Sequence, residues 1–240
     1  MKIRILSVAL VASVLLFTQC KKDDGVDTPP TVPKDYSALT AGSTFTFRNI
    51  VTSGSTTDTT NYTLTVGGAD TLVNGKTYKR LTNSSGVNDQ FMVKVYSNYF
   101  QLAKFAALNT GIFENNYLND SLPVNAEWTQ TINFSYVING SNTNLSATLK
   151  YKITEKAATR TVNGKAYTDV IHVNFTNIAI TGAPVPLNIT AAGDSYYSLG
   201  YGIIESTVDV PTQAIVVFGT PVGTVPKYFS SQILMSSVVK

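Results

Sequence analysis

The chain has 240 residues but only one histidine, His172, and one cysteine, Cys20, and that scarcity settles much of its chemistry. A structural zinc site takes four Cys or His ligands and a disulfide takes two cysteines, so neither forms within this chain. A Ser-His-Asp triad would have to use His172, which lies in Val170-Ile171-His172-Val173-Asn174-Phe175. Strand alternation puts His172 on one face with Val170 and Asn174, opposite Ile171, Val173 and Phe175. No serine sits in a G-x-S-x-G turn, so His172 reads as a histidine on the more polar face of a strand, and no catalytic residue is expected.

Carboxylates are the remaining route to hydrolysis, since a glycosidase needs only two of them, about 5 to 9.5 Å apart. Glu205 and Asp209 share one face of a run, but four residues of strand separate them by roughly 13 Å. Glu114, Asp120 and Glu127 fall in a loop-rich stretch whose geometry the sequence does not fix. Gly75-Lys76-Thr77 imitates the end of a P-loop, yet Asp70 stands where the first glycine is required. Gly200-Tyr201-Gly202 lacks the third glycine and the helix of a dinucleotide fingerprint, and no calcium loop is present. We expect no metal and no cofactor. Tyr96, Tyr99, Phe100, Trp128, Tyr196, Tyr197 and Tyr201 could stack on sugar rings or line an apolar trough, but with 13 Tyr and 11 Phe most must serve the core or cross-strand pairs.

Cys20 has a different setting. Lys2 and Arg4 give a basic start, and Ile5 to Phe17 is an uncharged apolar run of 13 residues. That is the length of a signal-peptide core, whereas a membrane-spanning helix needs about 20 residues. Phe17-Thr18-Gln19-Cys20 closes the run and resembles the lipobox of bacterial lipoproteins, which implies cleavage before Cys20 and diacylation of its thiol. The chain departs from the usual lipobox by carrying Phe17 in place of Leu and Gln19 in place of a small residue. Lys22-Asp23-Asp24 resembles the Lys-acid-acid signal that sends lipoproteins of the Bacteroidota type to the outer face of the outer membrane; the other reading is a solvated charge pair in a linker. Lys21 to Lys34, 14 residues with Gly25, Pro29, Pro30 and Pro33, reads as a tether. Extended, it spans roughly 40 Å at about 3.1 Å per residue.

Residues 1–19 are therefore expected to be a signal peptide, 20–35 a lipidated cysteine with its Pro-rich tether, and 36–240 one β domain. Loss of Lys2 and Arg4 with the signal takes the balance from 18 basic and 15 acidic residues to 16 and 15. Nothing is left of the basic footprint that nucleic acid requires, so no nucleic-acid partner is expected.

From Tyr36 onward the chain is dense in Thr, Val, Ile, Tyr and Phe, with Asn, Gly and Ser between short runs, which is strand-and-turn composition. Runs 44–51, 62–66, 91–96, 129–138, 145–154, 170–180 and 232–239 read as strands. The segment 101–108 fits a helix, and equally a strand continuing from Tyr99. Asn74-Gly75 and Asn163-Gly164, each within V-N-G-K-x-Y, and Asn139-Gly140 carry the chemistry of type I′ hairpin turns. The recurrence reads as one hairpin device used twice rather than a duplicated half-domain.

Tyr36-Ser37-Ala38-Leu39-Thr40-Ala41-Gly42-Ser43-Thr44-Phe45-Thr46-Phe47 resembles the opening Y-x-P-L-x-x-G-x-x-W-x-Y of a large group of Bacteroidota-type lipoproteins without an assigned activity. Tyr197-Ser198-Leu199-Gly200-Tyr201-Gly202-Ile203-Ile204 resembles that group's late Y-x-x-G-x-G-x-V. Ala38 stands for the usual Pro, Phe45 for Trp and Phe47 for Tyr, changes that keep apolar bulk, and Glu205 stands where a Lys commonly follows. The resemblance implies an all-β fold, a single antiparallel sheet curved into an open or half barrel with little helix, similar to the half-barrel of periplasmic lipoprotein carriers. Gly200 and Gly202, two apart on one face of a strand, would let the sheet bend or another segment approach closely. The function expected is a lipid-anchored outer-membrane protein, displayed at the cell surface if Lys22-Asp23-Asp24 acts as the export signal. It would be a non-catalytic binding or accessory module for an apolar ligand or an envelope protein. The alternative is a surface hydrolase acting on glycans.

Overall fold

The computed structural model describes residues 34–86, 89–103, 112–138, 141–182, 187–217 and 220–240. Cys20, Lys22, Asp23 and Asp24, the signal segment, Asn139-Gly140 and residues 104–108 lie outside them. The described residues contain no helix and fifteen strands. The first seven are β1 (Thr44–Ser53), β2 (Thr56–Val66), β3 (Thr71–Val73), β4 (Lys76–Asn83), β5 (Gln90–Val95), β6 (Asn98–Ala103) and β7 (Phe113–Asn119). Then come β8 (Glu127–Ile138), β9 (Ser141–Val162), β10 (Lys165–Thr181), β11 (Leu187–Ser198) and β12 (Gly202–Val210). The last are β13 (Gln213–Val217), β14 (Thr220–Val225) and β15 (Tyr228–Val238).

All pairs are antiparallel, in the order β7-β6-β5-β4-β2-β1-β15-β12-β11-β10-β9-β8, with β3 beside β4 and β13–β14 as a separate two-stranded ladder. The fold is thus all-β, with one sheet carrying most of the chain. Its two outer strands, β7 and β8, are consecutive in sequence and meet through side chains. Trp128 Nε1 donates to the Asn116 carbonyl at 2.9 Å, the Asn116 N–H to Gln130 Oε1 at 3.4 Å, and Tyr151 Oη to Asn115 Oδ1 at 3.2 Å. The sheet curls into a small, partly closed barrel, as the open or half barrel expected of it, and these contacts bridge its seam where a backbone ladder is absent among the described residues.

Local sequence explains the turns. Asn74 and Gly75 (φ 49° and 75°) and Asn163 and Gly164 (φ 47° and 78°) join β3 to β4 and β9 to β10 with the positive angles a primed turn demands. The two hairpins share little else, since β3 has 3 residues and β9 has 22. In the long hairpin, Ala157 and Asp169 adopt left-handed backbone (φ 54° and 53°) beside breaks in register, so bulges bend it. Residues 101–103 belong to β6, the strand alternative for that segment. Glu114 and Glu127 lie on strands β7 and β8 rather than in loops.

Two larger apolar clusters lie inside, beside a smaller one of Leu145, Ala147 and Ile180. One joins Phe45, Phe47, Leu64, Leu81, Ile204 and Leu234; the other joins Tyr36, Tyr99, Tyr117, Ile153, Ile171 and Tyr197. In the second, ring follows ring: Tyr36 and Tyr99 at 6.3 Å, Tyr99 and Tyr117 at 6.2 Å, Tyr117 and Tyr197 stacked at 5.4 Å. Val170 is as fully buried as Ile171, so the face that begins at Val170 becomes polar only from His172 onward. Antiparallel pairing collects the start of β1, the β5–β6 turn, the β11–β12 turn and the tip of β9–β10 at the end where Lys34 joins the barrel. The β1–β2 turn, the end of β12 and the start of β15 lie at the opposite end.

Candidate functional site

His172 lies on a row that crosses three strands, pairing with Tyr196 on β11, which in turn pairs with Glu205 on β12. His172 Nε2 lies 2.7 Å from Asp194 Oδ1, and Nδ1 lies 3.9 Å from Glu155 Oε2. Asn174 Nδ2 donates to the same Asp194 oxygen at 3.2 Å. The imidazole stacks on the Tyr196 ring at 4.2 Å, and the Arg160 guanidinium carbon is 3.4 Å from that ring's centre. Two groups that close to one centroid must take opposite faces, so Tyr196 is sandwiched. Arg160 Nε then donates to Glu205 Oε2 at 2.6 Å. Burial works against the Arg160 charge, but Glu205 outweighs it and lifts the guanidinium further above its ordinary value. The arrangement closes both faces of Tyr196, and both ring nitrogens of His172 face carboxylates, Asp194 and Glu155.

Four of the carboxylates that the sequence nominated, Glu114, Glu127, Asp120 and Glu205, each have a partner of their own. Glu114 meets Lys76 at 2.6 Å, and although burial would raise its pKa, Lys76 and the nearby Tyr78 hold it below the usual carboxylate range. Glu127 pairs with Lys150 at 2.8 Å, which lowers its pKa. Asp120 accepts from the Tyr99 hydroxyl at 2.8 Å and lies 3.9 Å from Lys94. Glu205 is held by Arg160, and Asp209 stands four residues along β12 from it with no register break between them. No group of three or more His, Cys, Asp or Glu side chains placed to hold a metal occurs among the described residues.

The aromatic candidates divide in the same way. Tyr99 and Tyr197 are core, Phe100 lies under the Lys76 ammonium at 4.6 Å, and Trp128 stacks on Tyr151 at 5.3 Å. Tyr201 meets Tyr167 edge-on at 5.2 Å, with Lys165 4.2 Å from its ring. Tyr96 alone of the seven projects into solvent, 92% exposed.

The two stretches that carry the family resemblance meet in space. Gly202 opens β12 at φ 76°, and a Cβ there would lie 3.3 Å from the Ser37 carbonyl oxygen, so the close approach expected of this glycine is real. Gly200 lies in the β11–β12 turn, not in a strand, and its N–H donates to the Asp35 carbonyl at 2.7 Å. Ala38 takes φ 49°, an angle closed to proline, which accounts for the departure from the usual residue at that position. The contacts of the domain reach back to Lys34, whose ammonium pairs with Asp169 at 2.7 Å. Sequence reasoning missed Arg160, Asp194, Asp169 and Lys94, which act across strands and carry no local motif.

A void among Phe45, Phe47, Leu64, Leu81, Met92 and Ile203 measures about 20 Å³, room for one water. A depression of about 370 Å³ over Asn133, Ser135, Asn144, Leu145 and Ser146 is open and lined by no titratable group.

No family model matches the chain, and no curated protein matches it. Two solved structures are similar in outline. One, from Parabacteroides distasonis and named as a lipoprotein, is 13% identical with a TM-score of 0.48 and aligns over 86% of this chain and 100% of its own. The other, an exported protein of Bacteroides fragilis with a YmcC-like fold, is 10% identical with a TM-score of 0.37, over 83% and 96%. Neither likeness is strong enough to carry a function from one chain to the other.

Proposed function

We propose that this chain is a lipid-anchored protein of the cell envelope, held at the outer membrane through Cys20, whose β domain is a non-catalytic binding or accessory module. The observation that carries the reading is the small void among the described core side chains. Ligand pockets measure about 300 to 1,000 Å³, and the space among the core side chains here is about 20 Å³. An acyl chain has no room in that void, which favours a neighbouring envelope protein met on the outside of the sheet over an apolar ligand held inside.

The anchor follows from the sequence. Each buried CH₂ of a lipid contributes about 0.8 kcal/mol, and one chain binds only marginally where two or three hold firmly. A thioether-linked diacylglyceryl group on Cys20 supplies two. The glycan-hydrolase reading asks for two carboxylates converging on one groove, and Glu114, Glu127 and Glu205 are each taken up by a separate cation. Lys22-Asp23-Asp24 favours display on the outer face.

Feeding cells labelled palmitate tests the anchor. The wild-type product should carry label and sediment with membranes, while Cys20→Ala should be unlabelled and leave the membrane fraction. A wild-type chain that stays unlabelled and soluble overturns the reading. For surface display, protease added to intact cells should cut the domain; protection of the domain while a known surface protein is cut places it inside.

A further inference from the structure

We propose that the barrel rests on the lipid headgroups of its own membrane through the end that bears Lys34, with the exposed Tyr96 side chain entering the headgroup layer. The inference deepens the anchoring reading and rests on it. Its first support is where the tether ends. Lys34 is fixed to the barrel by its ion pair with Asp169, and Tyr36 N–H donates to Tyr99 Oη at 3.2 Å. The 14 residues from Lys21 to Lys34 allow at most roughly 50 Å between the acyl group and this point. The end carrying Lys34 is thus the one held near lipid, and a short tether raises the effective concentration so that weak contacts suffice.

Its second support is Tyr96 itself. Tyr96 is the first of two residues joining β5 to β6 and takes φ 54°. Elsewhere this chain gives such turn positions to Asn74 and Asn163. A bulky aromatic in left-handed backbone is strained, and a strained residue that adds nothing to the core points to a role outside it. Tyr96 is 92% exposed, so burial does not explain it. The turn is held rigidly, since Asp120 N–H donates to the Ser97 carbonyl at 2.9 Å and Lys156 Nζ donates to the carbonyls of Asp120 and Leu122. Lys94 bonds the Lys34 carbonyl just beneath it. Val124, in the adjoining loop, is 44% exposed, and the Lys34 side chain is 57% exposed. An amphipathic ring beside an aliphatic side chain and a lysine is the composition that settles at a lipid–water boundary.

The test is hydroxyl-radical footprinting of the acylated chain in vesicles of phosphatidylethanolamine and phosphatidylglycerol, against a Cys20→Ser chain in solution. These vesicles contain no other protein, so protection there comes from lipid. Tyr96 oxidation should fall about fivefold or more on the vesicle, while Tyr228 at the opposite end changes less than about twofold. An acylated chain whose Tyr96 reacts at the solution rate overturns the proposal and leaves the anchor standing. A chain without an acyl group overturns the anchor and this proposal with it. Tyr96→Gly should keep or raise the unfolding midpoint, because glycine relieves the strain, yet leave Val124 oxidised at the solution rate on vesicles. Val124 still protected in that variant overturns the role given to Tyr96.

Discussion

The two ends of the barrel are built differently. At the Lys34 end, Asp35 to Ala38 forms a strap across Gly202, and four buried tyrosines, Tyr36, Tyr99, Tyr117 and Tyr197, pack ring on ring beneath it. At the other end β2 runs on from Thr56 to Asn61 exposed on both faces, because β4 pairs with it only at Leu64 to Val66. Thr63 directs its backbone groups to Ser84, so by alternation those of Asn61, Thr59 and Thr57 point outward without a strand beside them among the described residues. The lesson is a division of labour. The tyrosine cluster at the Lys34 end is part of the core, whereas the first half of β2 is free of core duty.

The largest effect that tests this division is alkaline. Burial raises the phenol pKa of Tyr36, Tyr99, Tyr117 and Tyr197 above the ordinary 10.0, and those of Tyr62 and Tyr151 to about 12. A raised folded pKa gives stability that is complete below pH 10 and lost as pH climbs toward the folded value. Each such tyrosine removes about 1.4 kcal/mol per pH unit in that window. Urea midpoints followed by circular dichroism should hold steady up to about pH 9 and collapse between about pH 10 and 12. A flat profile through pH 11 would show that the tyrosine cluster is not packed as described.

Single substitutions sharpen the contrast. Tyr99→Ala removes the ring at the centre of the cluster and should cost about 3 to 5 kcal/mol in urea unfolding. Gly202→Val forces a branched side chain into left-handed backbone against Ser37, and should cost about 2 to 3 kcal/mol. Ala38→Pro, which restores the residue usual in the resembled group, should destabilise by more than about 1 kcal/mol because φ 49° is closed to proline. Thr59→Ser on the distal edge should stay within about 0.5 kcal/mol. A Thr59 effect as large as that of Tyr99 would break the comparison.

Much of this was legible from the residues. The Asn-Gly pairs announced two hairpins because few other dipeptides accept their angles, and alternating β-branched runs announced β1, β8, β9 and β10. The strand β7, Phe113-Glu114-Asn115-Asn116-Tyr117-Leu118-Asn119, escaped notice because its asparagines read as loop. The surroundings of His172 were hidden for another reason. Arg160 and Glu205 are 45 residues apart, and bulges at Ala157 and Asp169 break the alternation by which facing residues are inferred. The strap over Gly202 joins segments far apart in sequence, Asp35 to Ala38 and the β11–β12 turn, a contact only the folded sheet creates.

Native mass spectrometry of the mature protein extracted from membranes tests the central claim most directly. The account predicts a chain that begins at Cys20, carries covalent acyl groups and holds no further lipid. A chain of unmodified mass, or one that retains a non-covalent lipid inside the barrel, would contradict it.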